Sequence, residues 1–354
     1  MLSKFVSVSV LAIAIIAIVV RINPEIVLKL PNGFIFYAIM GHTPPPYFDM
    51  SAWQSDEMKT WIRSGDVVVS VNAKSGTNWL LYMTHLIRVK GEIEKYPFTD
   101  IMLNTPWPSI VHEPGQTWSE IKEAMFSNEI QQYWNHKDYP FRVFKAHEMP
   151  ETYSKDIPGA TLPIKSRRDL KFIAATRNPL DQMRSFYPFF ASHKAEFRRL
   201  WGDFPPVYDN KDQMMSDFLE GPFGVFLTDY NVAWFEARDE PNVHLVRFEE
   251  LKEDHRGSIV DLAKFLDVEL DDEQIDRIAF LSSFKEMKKV AHKFDYVLFA
   301  NKENPKRTVM ESGKLIRSGK TGEGHSFFTE EEKTRVYKFL DANLPKDVKK
   351  WMEL

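Results

Sequence analysis

Residues 66–79 read Asp66-Val67-Val68-Val69-Ser70-Val71-Asn72-Ala73-Lys74-Ser75-Gly76-Thr77-Asn78-Trp79, and this stretch decides the fold. Its first half is a β-branched apolar run, which is typical of a buried strand. Its second half is short and polar, and residues 80–87 then place apolar side chains at three- and four-residue spacing, as in a helix. The stretch therefore predicts a strand, a loop and a helix.

The loop between these two elements has the composition of an anion-binding site. The first turn of a helix leaves backbone N–H groups unpaired and carries the positive end of the helix dipole, so a phosphate binds there. Lys74 adds a mobile charge, and Ser75 and Thr77 add hydroxyl donors. Gly76 lets the backbone approach the anion. The loop predicts a nucleotide-phosphate site, and an ordinary strand-to-helix turn with a solvated lysine is the alternative.

The order of residues separates this loop from a Walker A motif, in which the second glycine precedes the Lys-Ser/Thr pair. Here Lys74-Ser75 comes before Gly76. The segment resembles instead the 5′-phosphosulfate-binding loop of the cytosolic-type sulfotransferases, Pro-Lys-Ser-Gly-Thr followed by Thr or Asn and then Trp. Asn78 and Trp79 match this pattern, and Ala73 replaces the proline.

Composition bounds the possible classes of function. With 354 residues and 44% hydrophobic content, the chain suits one large α/β domain or two small ones. The net charge of −4 argues against a nucleic-acid binder. The absence of cysteine excludes disulfides, thiolate nucleophiles and cysteine-based zinc sites.

The N-terminus carries an uncharged apolar run over residues 5–20, between Lys4 and Arg21. At helical rise the run covers about 24 Å of a roughly 30 Å hydrocarbon core. We predict a single-pass membrane anchor in residues 1–21, a juxtamembrane segment and proline-rich linker in residues 22–50, and the catalytic domain in residues 51–354. A cleaved signal peptide is the alternative, although no small-x-small site follows the run. The charges that flank the run balance and do not decide the orientation. The sequence has no Asn-x-Ser/Thr glycosylation acceptor, which is compatible with a cytosolic domain, so we expect a cytoplasmic catalytic domain and leave the lumenal side open.

Further strands are predicted at residues 141–147, 170–176 and 243–247. Helices are predicted at residues 117–134, from Pro179 onward and at residues 249–266, and the acidic stretch 330–333 is expected to open the final helix. Strands that alternate with helices predict a single α/β domain with a central parallel sheet flanked by helices. Its ligands are expected at the carboxyl ends of the strands.

Three later segments extend the resemblance to the sulfotransferases. Arg177 and, eight positions on, Ser185 match the family's 3′-phosphate motif. Residues 282–287 match its Thr/Ser-Ser-Phe-x-x-Met segment, and residues 317–329 follow its Arg-Lys-Gly-x-x-Gly-Asp-Trp-Lys-Asn-x-Phe-Thr pattern. The resemblance implies a cofactor-binding set of Lys74, Ser75, Gly76, Thr77, Asn78, Trp79, Arg177, Ser185, Phe248, Ser282, Phe284, Met287, Arg317, Ser318 and Gly319.

The chain also departs from the family pattern. Ser318 replaces a lysine, Phe248 stands where many members have a tyrosine, and Gly324 and His325 replace Trp-Lys. Because Ser318 lacks the lysine's charge, we expect the 3′-phosphate to be bound more weakly. Dimerisation through the family's short motif is uncertain, because His325 stands in the place of its lysine.

The resemblance implies transfer of a sulfuryl group from 3′-phosphoadenosine 5′-phosphosulfate (PAPS) to the hydroxyl or amine of a small, lipophilic acceptor, with adenosine 3′,5′-bisphosphate (PAP) as product and no metal. His147 is then the general base, Lys145 a cation beside the sulfuryl oxygens, and Lys74 the donor to the bridging oxygen. Ser185 would hold Lys74 back until the acceptor binds. Trp107 and Phe189 align with apolar positions of the family's acceptor pocket.

Two other functions stay open on the sequence. A P-loop kinase-like phosphotransferase would need an acidic residue after a neighbouring strand to hold Mg²⁺, yet the third strand ends in Thr176-Arg177. A catalytically idle, membrane-tethered nucleotide-binding protein would explain the altered C-terminal loop. It would have no need of the base His147.

Overall fold

The computed structural model describes residues 48–49, 51–110, 123, 125, 127–154, 157, 159–201, 203–298 and 307–354. The predicted anchor in residues 1–21, and residues 22–47 of the predicted juxtamembrane segment, lie outside the described residues. Within the described part of the chain, no helix is long and apolar enough to cross a membrane.

A four-stranded parallel sheet forms the centre of the fold. Its strands are β1 (Val67–Val71), β2 (Val143–Ala146), β5 (Lys171–Thr176) and β6 (Val243–Arg247), in the order β2-β1-β5-β6. Every residue of β1 is buried, because this strand is central and helices cover both faces. Val69 pairs with Lys145 on one side and with Ile173 on the other, so the strands end at the same edge. The predicted fold class is confirmed.

Two small sheets complete the strands: β3 (Met149–Pro150) pairs with β4 (Ala160–Leu162), and β7 (Val297–Leu298) pairs with β8 (Arg307–Thr308). The α-helices of the described residues are α1 (Asp56–Trp61), α2 (Thr77–Arg88), α3 (Ile101–Asn104), α4 (Asn128–Trp134), α5 (Pro179–Ala191), α6 (Ala195–Leu200), α7 (Lys211–Leu219), α8 (Asp229–Ala237), α9 (Phe248–Glu253), α10 (His255–Phe265), α11 (Asp272–Leu281), α12 (Phe284–Lys289), α13 (Glu323–Phe327), α14 (Glu330–Asn343) and α15 (Lys346–Met352). Short 3₁₀ turns occupy Ala52–Gln54, Pro222–Phe226 and Ala291–Phe294.

The structure corrects two helix predictions. The helix predicted at residues 249–266 is two helices, α9 and α10, because Asp254 leaves the helical conformation and its carboxylate accepts a hydrogen bond from Gly257 N at 2.8 Å, which caps α10. The acidic stretch 330–333 does open a helix, but α15 follows it. Of the helix predicted at residues 117–134, the structure describes α4, and residues 117–122 lie outside the described residues.

Candidate active site

The phosphate loop follows β1 and has a backbone that its sequence explains. Lys74 and Gly76 have φ values of 68° and 101°, in the left-handed region. A Cβ on Gly76 would lie 2.9 Å from the Phe248 ring, so this position needs glycine for its conformation and for space. Thr77 then opens α2 directly behind the loop. The Ser75 hydroxyl is buried without a hydrogen-bond partner among the described residues.

Lys74 is the electrostatic centre of the loop. Burial and the nearby guanidinium groups of Arg177 and Arg317 lower the pKa of Lys74 to about 7. Its ammonium nitrogen lies 3.9 Å from the centre of the Phe189 ring, a cation–π contact. Both residues are described, and no hydrogen bond joins the Lys74 side chain to Ser185. The restraint of Lys74 by Ser185 therefore stays a prediction, and this structure shows no hydrogen bond that would carry it.

His147 follows β2 and has the tautomer that a general base requires. Its Nδ1 lies 2.6 Å from the carbonyl oxygen of Val71. A carbonyl can only accept, so Nδ1 carries the hydrogen and Nε2 keeps its lone pair. Burial and the charge of Lys145 lower the pKa of His147 to about 3, which keeps the ring neutral at physiological pH. The ring also contacts Trp107 edge-on, with 4.9 Å between the ring centres.

Lys145 is fully buried and does not line the cavity. Its ammonium nitrogen lies 3.7 Å from the Trp107 ring centre and 3.8 Å from that of Tyr296, with no hydrogen-bond partner among the described residues. Burial and the charge of Lys74 hold the pKa of Lys145 well below its usual range. Contact with a sulfuryl group would therefore require this side chain to leave the aromatic pair.

Two arginines converge at the other end of the loop. The Arg177 guanidinium donates to the carbonyl oxygens of Lys74 and Lys320, at 3.2 and 2.8 Å, while its Nε is buried without a partner among the described residues. Arg317 pairs with Glu323 at 2.5 Å. The Ser318 hydroxyl donates to the same carboxylate at 2.6 Å. Glu323 therefore competes with an anionic ligand for Arg317.

Aromatic side chains lie at the end of the site where the sequence predicts the nucleotide. The Trp79 ring lies 5.7 Å from that of Phe248, and Phe284 keeps 38% of its surface exposed. Gly319 has a φ of 61°, and a Cβ there would lie 2.6 Å from the Phe284 ring, so glycine is again required. Ser282, by contrast, is fully buried and donates to the Ile278 carbonyl oxygen at 2.6 Å.

Most of these residues surround one cavity of about 860 Å³, whereas the predicted residues Ser75 and Lys145 do not line it. Its lining includes the predicted residues Lys74, Gly76, Thr77, Asn78, Trp79, Trp107, His147, Arg177, Ser185, Phe189, Phe248, Ser282, Phe284, Met287, Arg317, Ser318 and Gly319. The lining also includes residues that were not predicted from the sequence, among them Phe48, Glu148, Asp229, His255 and Tyr296. Glu148 could have been predicted, because it directly follows His147. The others belong to segments in which the sequence shows no motif.

The chain matches the sulfotransferase domain family over residues 64–351. Human Sulfotransferase 1E1 is 29% identical over 231 residues, which cover 64% of this chain and 67% of that protein. Human Sulfotransferase 2A1 is 26% identical over 295 residues, covering 82% and 89% of the two chains.

Solved structures show the same fold. Mouse sulfotransferase SULT7A1 complexed with PAP has a TM-score of 0.57 at 19% identity, covering 86% of this chain and 90% of that one. Retinol dehydratase in complex with androsterone and PAP has a TM-score of 0.58 at 19% identity, covering 80% and 82%. With the family match extending over most of its length and the predicted motifs gathered around one cavity, the chain belongs to the sulfotransferase family.

Proposed function

We propose that this protein transfers a sulfuryl group from PAPS to a hydroxyl group of a small, lipophilic acceptor by in-line displacement; an amine is the other possible acceptor group. Membership of the sulfotransferase family supports the reaction class. The observation that carries the proposal is the pairing, in one cavity, of His147 with a free Nε2 lone pair and Lys74 at the anion-binding loop. A module that only bound nucleotide would have no use for the base.

In the proposed reaction, the acceptor oxygen forms a bond to sulfur while the bond from sulfur to the 5′-phosphate oxygen breaks. The acceptor's proton passes to His147 Nε2, and Lys74 donates a hydrogen bond to the leaving oxygen. The imidazolium that forms is disfavoured in the free protein by burial and by the charges of Lys145 and Lys74. The anionic donor offsets those charges, so its binding raises the basicity of His147.

Each part of the donor has a proposed set of contacts. Arg177, Ser185 and Arg317 bind the 3′-phosphate, to which guanidinium groups make strong charge-assisted hydrogen bonds. The adenine ring packs among the apolar and aromatic side chains of Trp79, Phe248, Phe284 and Met287. At the acceptor end, Trp107 and Phe189 provide the apolar walls that a lipophilic alcohol requires.

Replacement of His147 tests the proposal. His147→Ala should lower turnover by about two to four orders of magnitude and leave PAP affinity nearly unchanged, because a general base acts in the transition state. His193→Ala is the matched control, because His193 also lines the cavity and also contacts a carbonyl oxygen through Nδ1, that of Phe189 at 3.0 Å. Turnover of this control should stay within about tenfold of the parent. Unchanged turnover of His147→Ala, or a parallel loss of PAP affinity, would contradict the assigned role.

We also propose that residues 5–20 anchor the protein in a membrane, with the catalytic domain of residues 51–354 on the cytoplasmic side. The uncharged apolar run between Lys4 and Arg21 supports the anchor. The full chain should then stay with membranes on alkaline extraction, and a chain lacking residues 1–47 should be released and remain active. Release of the full chain would contradict the anchor, and protection of the catalytic domain from added protease would contradict its side.

A further inference from the structure

The charges that line the cavity are separated along its length. The basic residues Arg177 and Arg317 lie at the nucleotide end and Lys74 at the phosphate loop. Among the described residues, the carboxylates of the lining are those of Glu148, which directly follows His147, and of Asp229. An anionic donor accounts for the basic end. The acidic residues remain to be explained.

Asp229 is held next to the segment that carries His147. It opens α8, which packs against β3, and β3 begins two residues after His147. The neighbouring Tyr230 fixes the start of α8 on the central sheet, because its hydroxyl donates to the Ser70 carbonyl oxygen of β1 at 2.7 Å. Asp229 therefore belongs to the end of the cavity at which the acceptor binds.

The Asp229 carboxylate is held by hydrogen bonds but can accept more of them. The Tyr153 hydroxyl donates to one oxygen at 3.1 Å. The Thr228 hydroxyl lies 2.9 Å from the other oxygen and shares its hydrogen with the Gly224 carbonyl oxygen at 3.1 Å. A carboxylate offers about four acceptor positions, so about two remain. No lysine, arginine or histidine of the described ranges forms an ion pair with Asp229. Glu148 also accepts one hydrogen bond at each oxygen, from the Ser109 hydroxyl and from the His147 backbone N–H, but its side chain is buried, whereas Asp229 is partly exposed to the cavity.

The surroundings of Asp229 decide which acceptor suits it. The wall beside it is apolar and includes Val225 and Phe226. A purely lipophilic acceptor would remove water from the carboxylate without replacing its hydrogen bonds, which is unfavourable for a charged group. A protonated amine would supply both the hydrogen bonds and the opposite charge. The neighbouring aromatic rings would add cation–π attraction.

We propose that the acceptor is a lipophilic alcohol or phenol that also carries a protonated amine, and that Asp229 binds this amine while the hydroxyl faces His147. This inference rests on the proposed sulfotransferase function. A protonated amine has no free lone pair, so the hydroxyl is the group that receives the sulfuryl. An acceptor with a carboxylate in place of the amine would be repelled by Asp229.

The test uses the full chain and three matched series of acceptors. These are 4-(aminoalkyl)phenols of increasing chain length, the 4-alkylphenols of equal length, and the corresponding 4-(carboxyalkyl)phenols. Turnover with PAPS gives kcat/KM, and calorimetry on the PAP-loaded protein gives affinity without turnover. Asp229→Asn removes the charge but keeps the shape. Glu236→Gln is the control, because Glu236 lies on α8, is exposed and does not line the cavity.

At the best chain length, the parent should prefer the amine over the alkyl series by roughly ten- to a hundredfold in both readouts, as a charged hydrogen bond allows. Asp229→Asn should remove this preference, and Glu236→Gln should keep it. Equal use of amines and neutral phenols, or a preference that survives Asp229→Asn, would overturn the inference and leave the sulfotransferase proposal intact. Failure of the protein to bind PAP or to turn over PAPS with any acceptor would contradict the proposed function itself.

Discussion

Binding of PAP should weaken steeply as the pH rises from 7 to 8.5, because Lys74 loses its proton in this range. In the free protein the pKa of Lys74 is about 7, lowered by burial and by Arg177 and Arg317. An anionic ligand beside Lys74 favours the protonated form and returns the pKa toward its ordinary value of about 10.4. Binding then takes up a proton wherever the free lysine is neutral. The affinity falls with pH between the two pKa values.

The size of the effect follows from the fraction of free protein that is already protonated at Lys74. With a pKa of about 7, this fraction is about one half at pH 7 and about 3% at pH 8.5. The dissociation constant of PAP should therefore rise by about fifteenfold over this interval. The second ionisation of the phosphate groups of PAP has a pKa of about 6, so these groups are almost fully ionised at pH 7 and change little from pH 7 to 8.5. Burial holds the pKa of His147 near 3 and that of His193 near 4, so both rings stay neutral throughout.

Calorimetry at four pH values, in pairs of buffers with different ionisation enthalpies, measures both the affinity and the proton uptake. Lys74→Met should bind PAP with little pH dependence over the same interval. Lys252→Met is the control, because it removes an exposed lysine that also lines the cavity, and it should keep the parent's slope. A parent affinity that stays flat from pH 7 to 8.5, or an unchanged slope in Lys74→Met, would refute the assignment of the titration to Lys74.

Two further outcomes concern the C-terminal loop. Glu323→Gln should tighten PAP binding by up to about fivefold, because it frees Arg317 from a partly exposed ion pair. The affinity for adenosine 5′-phosphate, which lacks the 3′-phosphate, should not change. Equal gains for both nucleotides would place Arg317 away from the 3′-phosphate. Gly324→Ala should lower the free energy of unfolding in urea by about 1–3 kcal/mol, because a Cβ there would lie 2.4 Å from the Leu180 backbone carbonyl carbon. In Gly322→Ala, where a Cβ meets nothing within 4 Å, the cost should be only the left-handed strain of about 1 kcal/mol, and equal losses in the two variants would contradict the packing argument.

The central sheet and its loop were predictable because their signals are local. A β-branched run followed by a polar loop and a helical pattern specifies β1, the phosphate loop and α2 within 22 residues. The strand ends then had to meet at one edge, because all four strands are parallel. The break between α9 and α10 was missed, because it depends on the carboxylate of Asp254 capping a new helix rather than continuing the old one.

Contacts between distant segments could not be predicted from the sequence. Lys145 was predicted to face the sulfuryl group, but Tyr296, from a segment with no recognised motif, forms the second wall of its aromatic enclosure. Glu323 was read only as part of a loop pattern, yet its carboxylate pairs with both Arg317 and Ser318. In each case the contacting residue comes from a distant segment, and the contact depends on how the loops fold over the sheet. The spacing of residues along the chain does not predict such a contact.

Asp181 explains how the residues proposed to bind the 3′-phosphate come together although the C-terminal loop departs from the family pattern. It lies one helical turn after Arg177, and one of its carboxylate oxygens is 3.5 Å from the Arg177 guanidinium. The same carboxylate accepts backbone hydrogen bonds from Gly322 and Gly324, both at 2.7 Å, which fixes the loop to the start of α5. Gly324 can approach this closely because it has no side chain. The tryptophan of the family pattern could not occupy this backbone contact, so the glycine at 324 and the carboxylate at 181 form one docking arrangement that holds Arg317 near Arg177.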